Sequence, residues 1–555
     1  MAERTLPSAR RIITALLFVA TLATGGMQLG ILGDSGGSVD LGPGVTLPTG
    51  DGALIEGVLG LPRSPYPLFA ETGADRALVA LTYRGLTRLN ESNWAMPDLA
   101  TEWSSFDSGK AWNFTLDPAA RWDDGTPVSI DDVLVTIGVA SELNTAGGYW
   151  NSITVEAGER DGALIARSPR ALANLPAMFA TLPLLPAHIY SGLAAGDVLT
   201  MALSEPPHGT GPFTIDALAQ NAASLSRRTD LLLASDTAII ERSTGTGHEV
   251  TAIGLRFFAD AGAALGAWNG GSLDLLAGID HAAATESVGT RGRLINLDST
   301  VFTGIATNLR PGEVLRDPNI RVALAALLDP AAIVNTYGGV VARTPVPPGS
   351  WAWTSTKEIP TSPAFATAKL KRAKWTIANG VWYFPSKKPA RLEILSLPAM
   401  AFPADAAIAA QAAAAWTSFG IETTVTELSA DDLTERIAQG EFRLAVVNIE
   451  IGSDPDLYPL YGSGAVLTGG NISAIQLKQL DDLLIAARVP ATLEKRQAAM
   501  AAVQRWCAAT VYTLPIRFAA TELLASSRVS GVEPILVEQP ETHLRAVLSF
   551  RLVTP

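Results

Sequence analysis

Hydrophobic and polar positions alternate most cleanly between residues 390 and 451, where period-two and period-3.6 patterns take turns along the chain. Arg391 to Leu397 reads as a strand. Ala404 to Phe419 reads as an alanine-rich amphipathic helix closed by Gly420, and Ile421 to Leu428 as a β-branched, alternating strand. Ser429, with Asp432 three residues on, is a helix-start signal for a segment running to Gly440. The run Leu444-Ala445-Val446-Val447 inside Arg443 to Ile451 is the uninterrupted apolar stretch of a buried strand. The pattern predicts β-α-β-α-β, hence a mainly parallel sheet covered by helices.

Ligands of such sheets bind beyond the carboxyl ends of the strands. That rule points to Asn448, Glu450 and the loop Ser453-Asp454-Pro455-Asp456. The first half of the chain has another texture: Leu78 to Leu89, Trp112 to Leu116 and the turn Asp123-Asp124-Gly125-Thr126-Pro127 predict short strands and tight turns. A helix is expected over Val128 to Ala140, its start marked by Ser129 and Asp132. This part reads as α+β.

The amino-terminal stretch changes the compartment. Arg10 and Arg11 precede an uncharged run from Ile12 to Gly33, long enough to cross a bilayer, so the remainder is expected outside the cytoplasm. Thr21-Leu22-Ala23 is a passable cleavage site, but the apolar run continues beyond it, and retention as an anchor is expected. A Gly/Ser/Asp/Pro-rich linker follows to about residue 53. Within it, Gly33-Asp34-Ser35-Gly36-Gly37 spells a serine-hydrolase motif. No histidine precedes His188, and the motif lacks the strand before and helix after that an elbow needs, so catalysis is not expected.

The 555 residues carry 48% hydrophobic and 17% charged side chains, a globular composition. A net charge of −13 excludes nucleic acid as a main partner. The single cysteine, Cys507, sits in an apolar-periodic stretch and reads as a buried small hydrophobe. His208, His248, His281 and His543 stand singly, so neither a metal site nor a cofactor is expected, and His188 reads as a loop or helix-start residue.

From Ala100 onward a series of motifs stands in a fixed order. They are Ala100-Thr101-Glu102-Trp103, Gly109 to Leu116, Arg121-Trp122-Asp123-Asp124-Gly125-Thr126-Pro127 and Asp131-Asp132-Val133. Gly209-Thr210-Gly211-Pro212-Phe213, Gly304 to Leu309, Arg316 to Arg321 with Ala325 to Asp329, Leu480 to Leu484 and Leu514-Pro515 continue the order. Across about 450 residues the chain resembles the family 5 extracellular solute-binding proteins, the dipeptide, oligopeptide and nickel-binding group. Most of the motifs are turn and cap signatures, expected to hold the fold rather than to touch ligand.

The resemblance implies an α/β, two-lobed periplasmic-binding-protein-like fold (type II, cluster C) that closes on its ligand like a hinge. Residues 54–80, 170–277 and 511–555 would form one lobe, 81–169 an extra inserted α+β subdomain and 278–510 the other lobe, preceded by the membrane-spanning segment 1–33 and linker 34–53. It implies capture of peptides or similar solutes for the permease subunits of an ABC importer, by a monomer with no enzymatic activity. In the family an aspartate near the D-P turn pairs with the ligand's α-ammonium; here that position is Ile451, flanked by Glu450 and Asp454, so a free peptide amino terminus is not the expected recognition group. Trp351 and Trp353, after Pro347-Pro348-Gly349-Ser350, are candidate stacking surfaces. Tyr83 with Arg84 at a strand end, and Asp456, Tyr458 and Tyr461 in the acidic loop, complete the candidate set. Asp454→Ala and Trp351→Ala are expected to weaken affinity without unfolding. Oligosaccharides and metal chelates are the alternative ligands, and an anchored sensory or adhesive module is the alternative role.

Overall fold

In the computed structural model, residues 45–202, 207–229, 232–289, 291–489 and 492–553 are described. The expected anchor and the serine-hydrolase-like pentapeptide lie outside them, as does most of the expected linker. Of that linker, residues 45–52 run along the folded chain: Val45 is buried, and Leu47 and Pro48 lie where a Cβ on Gly254 would touch them.

The strands and helices that matter here are, in chain order, β1 Ala53–Leu59, α1 Gly73–Thr82, β2 Ala100–Phe106, β3 Ala111–Leu116, α2 Ile130–Glu142, β4 Thr154–Ala157, β5 Ala163–Arg167, β6 Phe213–Leu218 and β7 Ala222–Arg227. They continue with β8 Ala252–Phe258, β9 Leu275–Ile279, β10 Gly292–Thr307, α3 Pro318–Ala325, β11 Arg391–Ser396, α4 Pro403–Ser418, β12 Glu422–Glu427 and α5 Ala430–Gln439. Last come β13 Leu444–Glu450, α6 Lys478–Ala487, α7 Leu493–Thr510 and β14 Thr513–Ser526.

The chain divides into two units, one made of residues 45–297 and 521–553 and the other of Asp298–Ala520. It passes between them inside β10 and again inside β14. In the first unit, β1 pairs parallel with β8 and β9, β7 lies antiparallel to β8, β6 closes the edge against β7, and residues 522–525 of β14 pair antiparallel with β9. Leu54, Leu78, Phe213, Ile253, Leu275 and Leu523 belong to one buried cluster beneath this sheet. A separate antiparallel sheet, β2-β3-β5-β4, shares a second cluster with Trp122, Val133 and Ile137.

The segment from Leu78 to Leu89 is not the expected strand. Thr72 and Asp75 form a capping box, Asp75 N donating to Thr72 Oγ1 at 3.1 Å and Thr72 N to Asp75 Oδ2 at 3.0 Å, and α1 runs from there to Thr82. Only Thr87–Leu89 is extended. A reading window opened at Leu78 cuts the helix midway and misses both the cap and the stripe Ala74, Ala77, Leu78 and Leu81, which packs into the first cluster.

Other signals of the first half hold. Gly125 adopts φ +87°, and the α2 box is present, with Ser129 N donating to Asp132 Oδ2 at 2.7 Å. Gly209 and Gly211 lie against the end of α1, where a Cβ on either would fall within 2.5 Å of backbone atoms of Leu81 or Thr82. No side chain fits there, so this motif serves packing.

In the second unit the sheet order is β12-β11-β13-β10, with the first three parallel and β10 antiparallel to β13. The β-α-β-α-β expectation is met element by element. Ser429 Oγ accepts from Asp432 N at 3.2 Å, Gly440 is left-handed at the end of α5, and Gly420 after α4 has φ +94°. Trp375, Trp382 and Trp416 are buried together with Ile394, Val446 and Leu514; the indole of Trp416 donates to Leu324 O at 3.0 Å, which satisfies its one polar group inside the core. Cys507 is buried, and burial pushes its thiol up to about 12, which leaves it inert.

Candidate ligand-binding site

Beyond the carboxyl end of β13 the chain turns through Gly452 into the acidic loop. Glu450 Oε1 accepts from Gly452 N at 2.9 Å and so helps shape that turn. Asp454, 5% exposed at its side chain, takes two hydrogen bonds of 2.8 Å from the guanidinium of Arg496 in α7. The same guanidinium stands 4.4 Å from the centre of the Trp351 ring. Asp456 is held in the same manner by Arg488 at the end of α6, with contacts of 2.6 to 3.1 Å, and Arg488 lies 4.2 Å from the Tyr458 ring. Four residues singled out from sequence, Trp351, Asp454, Asp456 and Tyr458, are thus brought together by two arginines that were not.

Both carboxylates are engaged from within the protein by bidentate, charge-assisted bonds. Asp454 is buried deeply enough that desolvation raises its carboxyl in spite of Arg496. The expectation that Asp454→Ala leaves folding untouched is therefore corrected: the substitution would strand the Arg496 charge in the interior. Nothing in the sequence around Asp454 signals a partner 42 residues away.

The two tryptophans part company. Trp351 is 5% exposed beneath Arg496, whereas Trp353 is 42% exposed. Gln497 and Gln504 of α7 donate to the carbonyls of Trp351 and Ala352 at 3.0 and 2.7 Å, which pins the loop. Tyr461 is wholly buried, its ring 5.7 Å from that of Tyr512. Tyr83 is not at a strand end; it caps the end of α1 within the core of the antiparallel-sheet region. Its neighbour Arg84 is buried between Asp98 and Asp236.

Asn448 sits in a polar chain of its own. Thr303 Oγ1 on β10 donates to Asn448 Oδ1 at 2.7 Å, and Asn448 Nδ2 donates to Asp405 Oδ2 at 2.7 Å. Asp405 occupies the first turn of α4 and is 4% exposed. In sequence it looks like an ordinary helix-start acid. Burial, offset in part by the Asn448 amide and by the charge of Arg517, moves its carboxyl from 3.8 up to about 6.

The folded protein thus holds this proton more tightly than the unfolded chain does. The associated stability is present at low pH and is lost as pH rises from about 4 to about 6, a change of about 3 kcal/mol. Asp405→Asn is expected to flatten that part of the profile and to raise stability near neutral pH by up to about 3 kcal/mol. Urea unfolding across this range checks it; a variant whose profile runs parallel to the parent's would refute the assignment.

His188 belongs to a short helix, Ala187–Tyr190, and its Nε2 lies 2.8 Å from Asp124 Oδ2; it is a helix-start residue, as read. Among the described residues no group of three or more His, Cys, Asp or Glu is arranged to hold a metal ion.

The model of the bacterial extracellular solute-binding proteins, family 5, matches residues 95–467. A binding protein of Brucella melitensis is 28% identical over 135 residues, 23% of this chain and 21% of that protein. The periplasmic murein peptide-binding protein MppA of Escherichia coli is 44% identical over 50 residues, 9% of each chain. These alignments cover well under two thirds of the curated relatives' own length. The structure of the oligopeptide-binding protein AppA from Bacillus subtilis, in complex with a nonapeptide, superposes with a TM-score of 0.62 at 18% identity, covering 91% of this chain and 99% of that one. The α/β fold is therefore that of the periplasmic-binding-protein class. With the family's model matched over most of the chain, and with its turn and cap motifs found at the packing positions described above, the chain belongs to the bacterial extracellular solute-binding proteins, family 5.

Proposed function

We propose that this chain is the solute-capturing component of an ABC importer, taking up peptides or similar solutes outside the cytoplasm and delivering them to membrane permease subunits. The family match over residues 95–467 carries this reading. The likeness in fold to a protein solved with a nonapeptide bound supports the ligand class. A polar cluster at the carboxyl end of β13, flanked by a loop whose own acids are neutralised, is suited to a solute without a large net charge. The basic pair Arg10-Arg11 and the apolar run after it would tether the protein to the membrane, and it would act as a monomer and by binding alone.

Mass spectrometry of small molecules released from the purified full-length protein tests the reading. Short peptides in stoichiometric amount are the expected result. A sugar or a metal chelate in their place would overturn the ligand class, and turnover of peptide or ester substrates would overturn the binding role.

A further inference from the structure

Between Glu358 and Glu393 the chain carries seven Lys or Arg and no acid, in a protein whose net charge is −13. Five of its nine lysines fall in this stretch. Arg391 is paired with Glu422 at 2.7 Å, and Lys369 Nζ lies 5.3 Å from the centre of the Phe365 ring. The other five cations, Lys371, Arg372, Lys374, Lys387 and Lys388, are exposed, and none of them has an ion pair among the described residues.

Tight chain reversals gather them. The helix Pro363–Arg372 ends with Lys374 at φ +63°, where Trp375 N donates back to Leu370 O at 3.0 Å. A hairpin follows, Thr376–Ala378 against Val381–Tyr383, and the next turn closes with Lys387 at φ +64° and Phe384 N donating to Lys388 O at 2.9 Å. Because Thr376 pairs with Tyr383, the helix end and this turn meet at the open end of the hairpin. Left-handed positions of this kind suit glycine best, so two lysines there depart from the local rule. At the other end, about 10 Å away along three-residue strands, Ile377 and Val381 flank the turn Asn379-Gly380 and are 47% and 37% exposed. The hairpin is firmly seated: Trp382 N donates to Gly420 O at 2.9 Å, and the rings of Trp382 and Trp375 pack on Phe419 and Phe384.

This surface offers cations and two aliphatic side chains but keeps its tryptophans inside. A protein partner is gripped chiefly through aromatic and arginine anchors, which are scarce here. Four of the five unpaired cations are lysines, point charges without the planar fork that reads one particular carboxylate or phosphate. They suit a diffuse layer of negative charge, and aliphatic side chains beside them suit the boundary beneath lipid headgroups.

We propose that residues 371–388 dock the second unit on an anionic lipid surface, the cations lying over headgroup phosphates and Ile377 and Val381 entering the acyl boundary. The inference does not depend on which solute is carried.

Hydrogen exchange of the full-length protein tests it, with vesicles of phosphatidylcholine alone and of phosphatidylcholine and phosphatidylglycerol in equal parts. Amides of residues 374–388 are expected to exchange several-fold more slowly on the mixed vesicles only, and high salt should abolish the difference. Each cation at such a surface contributes about fivefold in binding, so Lys371→Gln, Arg372→Gln and Lys388→Gln combined should weaken docking about a hundredfold and remove the protection. The three positions are exposed, and the variant is expected to unfold at the parent's urea midpoint, which separates lost docking from lost folding. Equal protection on both kinds of vesicle, protection on neither, or protection retained by the variant overturns the proposal. Protection that grows with protein concentration in the absence of vesicles would assign the face to a second, acidic copy of this chain and overturn it as well.

Discussion

Replacing Arg84 by methionine is expected to lower stability by about 5 kcal/mol, the upper end for breaking a buried ion pair, because two carboxylates lose their partner at once. The guanidinium donates to Asp98 at 2.7 Å through Nη1 and to both oxygens of Asp236 at 2.7 and 2.6 Å through Nη2. Its Nε donates to Thr210 O at 2.8 Å, so one side chain ties four segments that lie far apart in sequence. Asp236 and Asp98 have side-chain exposures of 1% and 6%. Burial raises the Asp98 carboxyl even with the arginine present. Lysine cannot reproduce the fork, since a single ammonium does not address two carboxylates in fixed planes, and Arg84→Lys is expected to recover only part of the loss. Urea titration monitored by tryptophan fluorescence reads the effect, and an Arg84→Met protein that unfolds at the parent's midpoint would show that the network contributes nothing.

The second large effect is expected at the pair beneath the acidic loop. Arg496→Met leaves Asp454 buried without a counter-charge, and Asp454→Ala does the same to Arg496; each should cost about 3–5 kcal/mol. The double variant should cost clearly less than the sum, because the second change removes the charge that the first one stranded. Chemical denaturation of the two single variants and the double variant closes the cycle. Additive losses would mean that the two side chains act independently, contrary to the 2.8 Å bidentate contact.

Much of the second unit was legible before any coordinates. From Arg391 to Ile451, periodicity, caps and the αL glycines all point the same way, and local agreement of that kind is what lets a pattern be read. The same is true of Ser129 with Asp132, and of the glycines near Thr210, whose role is close backbone approach. The failure at Leu78 to Leu89 has a local cause: the capping box lies six and three residues before the window opened.

The candidate site was legible in part. Asn448 stands out in the sequence by its place near the carboxyl end of a buried strand. Its partners Thr303 and Asp405 do not, because each lies on a different element and pairs with it across 145 and 43 residues. The acids of the loop drew notice for their charge. Whether a charge is free or already answered depends on arginines brought in from helices downstream, and no short-range pattern encodes that.

The route of the chain through its two units has a further consequence for biogenesis. Among the described residues the second unit lies within one stretch, Asp298–Ala520, whereas the first is split and takes its last sheet strand from residues beyond 520. A polypeptide leaving a ribosome or translocon amino terminus first exposes every strand of the second unit before the first can be completed. The half begun earliest is finished last, so its β9 edge stays without that partner until the tail of the nascent chain arrives.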